Sequence, residues 1–265
     1  MTINIIRQTS GIFKCGAVIF LLKYAAYADI LILKAIFQTK RMIKMSTDNQ
    51  SAMKPKKRYS LGEEIFNSVS HGAGALLSIA GTVVLIVLSA IYSNAWAVVA
   101  SAIYGASLII LYTMSTLYHA ITNRRAKKFF RIMDHNTIFF LIAGTYTPVT
   151  LIPLRGTLGW VLFGIVWGAA VIGIVLNSID LEKFRKPSVI CYILMGWVVI
   201  IAVKPMLESV NVLSLWFLLI GGLFYTFGII FYSIKKIKYF HSIWHLFTVA
   251  GSVFQYFSVL FMILQ

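Results

Sequence analysis

Residues 70–121 read SHGAGALLSIAGTVVLIVLSAIYSNAWAVVASAIYGASLIILYTMSTLYHAI. The stretch contains no Asp, Glu, Lys or Arg, and its apolar character breaks only at Tyr92-Ser93-Asn94. A helix needs about 20 apolar residues to cross a bilayer, so this is two spans joined by a short polar turn. Working outward, five further runs have comparable length and character. The seven expected spans are 70–92, 96–121, 132–153, 157–178, 188–206, 212–234 and 240–263. Backbone facing lipid must bond within its own segment, so all seven are read as helices. They are too continuously apolar for barrel strands. Pro148, with Gly144 one turn before it, predicts a kink in the third.

Composition supports the same fold class. The chain has 265 residues, 59% of them hydrophobic and 12% charged, with a mean hydropathy of +0.84. Soluble domains carry about 25% charged residues. Too few polar groups remain to cover a core with a wettable surface, which excludes a soluble enzyme, a disordered chain and a secreted disulfide scaffold. Cys15 and Cys191 are far apart and imply neither a disulfide nor a CxxC site. The expectation is an all-α, integral membrane seven-helix bundle.

The net charge of +16 would suit a nucleic-acid binder, but its distribution is that of membrane topology. Eleven Lys/Arg precede residue 59. Arg124, Arg125, Lys127, Lys128 and Arg131 follow the second span, Lys183, Arg185 and Lys186 the fourth, and Lys235, Lys236 and Lys238 the sixth. The alternate loops hold only Arg155 and Lys204. Basic residues mark the cytoplasmic side. The N-terminus is therefore expected inside and the C-terminus outside, in a multi-pass protein of the cell membrane with lipids, not nucleic acid, as partners.

Two units are expected: an N-terminal extension over 1–58 and a membrane domain over 59–265. Residues 11–37 are apolar but interrupted by Lys14, Lys23, Asp29 and Lys34, which makes a span costly. Either they form a basic amphipathic surface helix, or translation begins downstream at Met45 or Met53. Residues 46–58 read as a polar linker.

Ionisable groups inside spans are costly and normally face the bundle interior. Here they collect at one side. His71 opens the first span, Ser115 and His119 close the second, Asp134 and His135 open the third, and His241 and His245 open the seventh. At 1.5 Å per residue from the nearest basic side chain, His119 lies about 7 Å deep, Asp134 about 5 Å, and His241 and His245 about 5 and 10 Å. Histidines at i and i+4 in H241-S-I-W-H245 share one helical face and can offer two ligands to one metal ion. Such pairs also occur by chance on interfacial helices, where histidine snorkels. The shared depth favours the metal. His119 is the best third ligand for a three-histidine zinc site with its fourth position open, which is the catalytic arrangement. Ser115 sits one turn deeper on the face of His119, and Asp134 is placed to hold a water or orient an imidazole. His135, about 100° around the helix from Asp134, is read as structural or interfacial, and His71 as packing beside the site or at the interface rather than as a fourth ligand. Glu63, Glu64 and Asn67 are read as capping or pairing near its mouth.

Polar stripes extend from the site. His241, His245, Thr248, Ser252 and Gln255 follow a helical period, as do Ser101, Tyr104, Tyr112, Ser115 and His119. Their far halves are read as bonding neighbouring helices. Alternatively, the stripes line a water or headgroup cavity leading to the metal.

E64-I-F-N67 and S70-H71-G72, S115-T-L-Y-H119, D134-H-N-T-I-F-F-L-I-A-G-T-Y-T-P148, and H241-S-I-W-H245 together resemble the bacterial hemolysin III family. This is the prokaryotic branch of the progestin and adipoQ receptors, in a superfamily that includes alkaline ceramidases. The resemblance covers about residues 59–265. It implies a seven-helix fold with the N-terminus inside, zinc on His119, His241 and His245, and functional roles for Ser115 and Asp134. The family name implies haemolytic, pore-like activity, and the superfamily implies hydrolysis of lipid amides.

Three functions follow as expectations. The first is a zinc-dependent hydrolase of a lipid amide or ester, with Asp134 as general base and Ser115 binding the water or the developing oxyanion. The second is a cytolytic pore with structural zinc, for which the midplane offers no charged lining. The third is a receptor-like protein responsive to lipid or metal. No feature of the sequence fixes an oligomeric state.

Overall fold

The computed structural model describes residues 59–234 and 236–265. The expected surface helix over 11–37, the linker over 46–58 and Cys15 lie outside the described residues. Among the described residues the fold is all α-helical, without strands. The helices are α1 (Leu61–Tyr92), α2 (Ala95–Ala120), α3 (Arg124–Leu151), α4 (Thr157–Ile179), α5 (Leu181–Trp197), α6 (Val203–Ser209), α7 (Val212–Ser233) and α8 (Phe240–Leu264). A 3-10 turn, Val198–Ala202, joins α5 to α6.

Local sequence sets where most helices begin. Ser60, Asn94, Asn123, Asp180 and Asn211 each accept a backbone N–H of the following turn, a cap that contributes about 1 kcal/mol. At Ser60 the cap is reciprocal, because the Glu63 side chain also accepts from the Ser60 backbone. It starts α1 at Leu61, more than two turns before the span expected at residue 70. The fifth expected span, 188–206, is not a single helix but breaks after Trp197. The Tyr146 hydroxyl supports the break. It donates to the Gly196 carbonyl at 3.0 Å and accepts the Val199 N–H at 2.9 Å.

Successive helices pack side by side from α1 to α5, α7 pairs with α8, and α8 returns to α1. One core joins α1, α2 and α8 through Leu85, Tyr104, Leu108, Tyr112, Val259 and Ile263. Small residues set the closest approaches. A Cβ at Gly105 would fall on Thr82 of α1, and one at Gly144 on Ser107 of α2. The joint between α5–α6 and α7 is the loosest in the ring. Beside it lies a cavity of about 340 Å³ between α3, α5, α6, α7 and α8.

The outer faces are apolar. Leu77, Val84 and Ile91 on α1, and Ile165, Ile172 and Ile179 on α4, are exposed, as only a lipid environment tolerates over so large an area. Six helical segments are long and apolar enough to cross a membrane: α1, α2, α4, Leu181–Ser209, α7 and α8. The third expected span, 132–153, falls largely within α3, which has 28 residues but is more polar and is not one of these six. From Asp134 onward it is mostly buried between its neighbours, so little of it needs to be lipophilic.

Gly144→Leu is expected to destabilise the bundle by about 1–3 kcal/mol, the usual cost of overpacking. Gly164→Leu, where an added Cβ meets nothing within 4 Å, is expected to match the parent. Thermal unfolding of both variants in detergent checks the contrast. Equal midpoints would remove the close α2–α3 approach.

Candidate metal centre

Two helices bring together three of the histidines that the sequence singled out. His119 lies in the last turn of α2, and His241 and His245 lie in the first turns of α8. Their ligand atoms are all within 4.8 Å of one another. His119 and His245 are fully buried, and His241 is partly so. The Nε2 atoms of His241 and His245 are 3.2 Å apart, and the His119 ring centroid lies 5.4 Å and 5.0 Å from theirs. This is the one group of metal-ligating side chains found among the described residues.

The donor set fits a metal ion. The Nδ1 of His119 is 2.7 Å from Glu64 Oε2. A carboxylate there accepts a hydrogen bond from the Nδ1–H, which keeps the proton on Nδ1 and leaves Nε2 with its lone pair. That Nε2 is buried without a hydrogen-bond partner, an arrangement that costs about 1–3 kcal/mol unless something fills it. Three neutral imidazoles converging on one point suit zinc or another borderline divalent ion better than magnesium or calcium, which prefer oxygen.

Ser115 is fully buried on α2, one turn deeper than His119, and Asp134 is buried at 3% exposure on α3. Neither belongs to the ligand group. The Ser115 hydroxyl faces the Asp134 carboxylate without closing a hydrogen bond of good geometry. Asp134 is within electrostatic reach of His119 and His71. His135 flanks it: Nδ1 donates to the Arg131 carbonyl at 2.9 Å and lies 3.4 Å from Asp134 Oδ2. His71 is buried and stacks on His245 with centroids 3.6 Å apart. It packs beside the group and is outside it.

Glu64, read from sequence as capping or pairing near the mouth, does pair there, but its contact with a ligand histidine was not anticipated, and Tyr59 and Trp244 were not assigned to this centre from sequence. Glu64 reaches His119 with one oxygen and Lys127 Nζ with the other, at 2.8 Å. Tyr59 stacks on His241 at 4.8 Å, and Trp244 lies against both α8 histidines, at 5.0 and 5.2 Å. A signal for Glu64 was present. Glu64, Asn67, His71, Ser78 and Thr82 form a third polar stripe at helical spacing on α1, cut short by starting that span at residue 70. The far halves of the two anticipated stripes do bond neighbouring helices. Tyr112 donates to Ser252 at 2.6 Å, Tyr225 pairs with Ser252 at 2.8 Å, and Gln255 donates to the Leu218 carbonyl at 3.0 Å.

Comparison with known proteins gives the same neighbourhood. The family model described as Haemolysin-III related matches residues 59–256. Hemolysin-3 of Bacillus cereus is 46% identical over 202 residues, covering 76% of this chain and 92% of that protein. The Hemolysin-3 homolog of Bacillus subtilis (strain 168) is 46% identical, covering 77% and 95%. The monocyte to macrophage differentiation factor of Homo sapiens is 27% identical, covering 74% and 83%. No solved structure matches.

The purified chain is expected to bind about one divalent transition-metal ion, because one three-histidine group is present. His119→Ala and His245→Ala should each lose most of it, and His71→Ala should retain it. Elemental analysis after dialysis against a weak chelator checks this. Full metal in both ligand variants would remove the assignment.

Proposed function

The chain belongs to the haemolysin-III related family, and from that premise we propose that it is a zinc-dependent membrane hydrolase acting on a lipid amide or ester. It is a multi-pass membrane protein. In this reading α3 is the seventh span, the basic loops lie in the cytoplasm, and the histidines sit just beneath the inner surface.

The observation that carries the proposal is the adjacency of an apolar cavity and the buried histidine group. The apolar cavity between α5–α6 and α7 includes Trp244, Tyr232 and Thr248 in its lining. Trp244 packs directly on His241 and His245. The opposite wall includes Ile200, Val203 and Leu207, which are also exposed on the outer surface. An acyl chain would lie in this cavity from the membrane side, with its carbonyl end at the histidines.

Zinc held by His119, His241 and His245 would supply a Lewis acid for the carbonyl and lower the pKa of a nearby water. Asp134 takes the proton from the attacking water as general base. Ser115 donates a hydrogen bond to the oxygen on which charge develops. His135, with Nδ1 at 3.4 Å from Oδ2, steadies the Asp134 carboxylate. The chain's own walls exclude bulk water, which strengthens each of these interactions.

The relatives' name, Hemolysin-3, suggests a pore as the second reading. The cavity is walled mainly by Leu, Ile, Val and aromatic side chains and offers an ion no polar path.

Asp134→Asn is expected to keep fold and metal while lowering lipid turnover by about 10²-fold or more, since the amide cannot act as a base. Mass spectrometry over a panel of N-acyl lipids and phospholipid esters, with metal content and unfolding temperature measured in parallel, checks it. Equal turnover in the two proteins would remove Asp134 from the chemistry. No turnover of any lipid by the zinc-loaded parent, with membrane permeabilisation unchanged in the variant, would favour the pore.

Topology has its own test. In a background lacking Cys15 and Cys191, Ser93→Cys is expected to react with an impermeant thiol reagent from outside intact cells, and Lys128→Cys is not. The reverse pattern would invert the bundle.

A further inference from the structure

We propose that the first turn of α1 positions the metal centre: Glu64 orients His119, and Glu63 fixes the start of the helix that carries His241 and His245. The inference rests on the metal-site reading above and assigns positioning roles to residues that bind no metal themselves.

The need for such a device follows from the packing. The ligands come from α2 and α8, which have few contacts with each other, whereas α1 packs against both. Deeper in the bundle Tyr112 ties α2 to Ser252 of α8 directly, but at the level of the histidines α1 is placed to set the distance between His119 and the α8 pair. Residues Leu61, Gly62, Glu63 and Glu64 form its first turn, and the last three of them each meet a neighbour of the site.

Glu64 acts on α2. Its Oε2 receives His119 Nδ1 at 2.7 Å, and its Oε1 receives Lys127 Nζ from α3 at 2.8 Å. A neutral imidazole can carry its proton on either nitrogen. The tautomer protonated at Nε2 cannot bind a metal through that atom. A carboxylate on Nδ1 selects the competent tautomer, fixes the ring plane and raises the basicity of Nε2. Lys127 also lies over the Tyr118 ring, 5.2 Å from its centroid. The carboxylate is thus held between a ligand and an anchored cation, with one partner on each oxygen.

Glu63 acts on α8. Its Oε2 accepts the Ser60 N–H and hydroxyl, at 2.8 and 2.7 Å. Its Oε1 accepts the Tyr239 N–H at 2.8 Å. Tyr239 is the residue at which α8 begins, two before His241, and it has no side-chain cap of its own. Its φ of 65° places it in the left-handed region, uniquely among the described non-glycine residues. A tyrosine holds that conformation only where its surroundings impose it. The bond from Glu63 is one such constraint, and a negative charge at a helix N-terminus is favourable in itself. Gly62 completes the fit, since a Cβ there would come within 2.9 Å of the Tyr239 hydroxyl.

The test uses the full chain in detergent. Zinc affinity is read by competition with a chromophoric chelator, and ligand geometry by the d–d absorption of the cobalt(II) form. Glu64→Ala is expected to lose affinity by about 10–100-fold, the usual effect of removing a carboxylate behind a ligand histidine, with a shifted cobalt spectrum. Glu64→Gln, close in shape but uncharged, is expected to fall between Ala and the parent at about a tenfold loss. Glu63→Ala should lower affinity as the start of α8 frays. Glu182→Gln, which removes a carboxylate paired with Arg131 away from the centre, should match the parent in both readouts. Parental affinity and spectrum in Glu64→Gln would overturn the role of Glu64 while leaving the metal site standing, and the same result in Glu63→Ala would overturn that of Glu63. A parent chain that takes up no zinc would overturn the metal site and this inference together.

Discussion

Bringing three imidazole nitrogens within 4.8 Å of one another in a buried setting is unfavourable unless a cation or proton lies between them. Lone pairs aimed at each other repel, and those of His119 and His245 are removed from water. The rest of the bundle is arranged around meeting that constraint. His119 arrives on the last turn of α2, His241 and His245 arrive on the first turns of α8, and α1 spaces the two. A metal ion at the convergence would turn this unfavourable contact into a favourable one.

The helices divide their polar groups by purpose. Close to the histidines, Ser115 and Asp134 are buried without belonging to the ligand group. Further along α2 and α8, the same stripes are used up in helix-to-helix bonds such as Tyr112 with Ser252 and Gln255 with Leu218. A bilayer has no water to compensate an unbonded polar group, so these bonds satisfy the stripe while locking α8 to its neighbours. On the other side of Trp244 the walls become apolar. Trp244 therefore stands between the histidine cluster and a space suited to a hydrocarbon chain.

Much of this was legible in the sequence because membrane burial makes a polar residue informative. An i,i+4 histidine pair on an apolar helix, a Ser and a His one turn apart and an acid at shared depth brought the expected ligands together without a structure. Three features were harder to read, for physical reasons. The α1 stripe begins at Glu64, which is read from sequence as capping or pairing near the mouth but outside the first span. Only the Ser60 cap reveals that the helix already runs through it. The polarity of α3 has the opposite cause: it is enclosed by other helices, so length and burial, not apolarity, mark it. The break in α5 left no clear mark either, because the Tyr146 hydroxyl that satisfies it comes from a residue fifty positions away.

The central claim is that three imidazole nitrogens from α2 and α8 hold one zinc ion. X-ray absorption at the zinc edge of the purified chain tests it most directly. A shell of three imidazole nitrogens at about 2.0–2.1 Å with one further light atom is the result the account requires. A shell containing sulfur, a six-oxygen shell, or a spectrum unchanged by His119→Ala would contradict it.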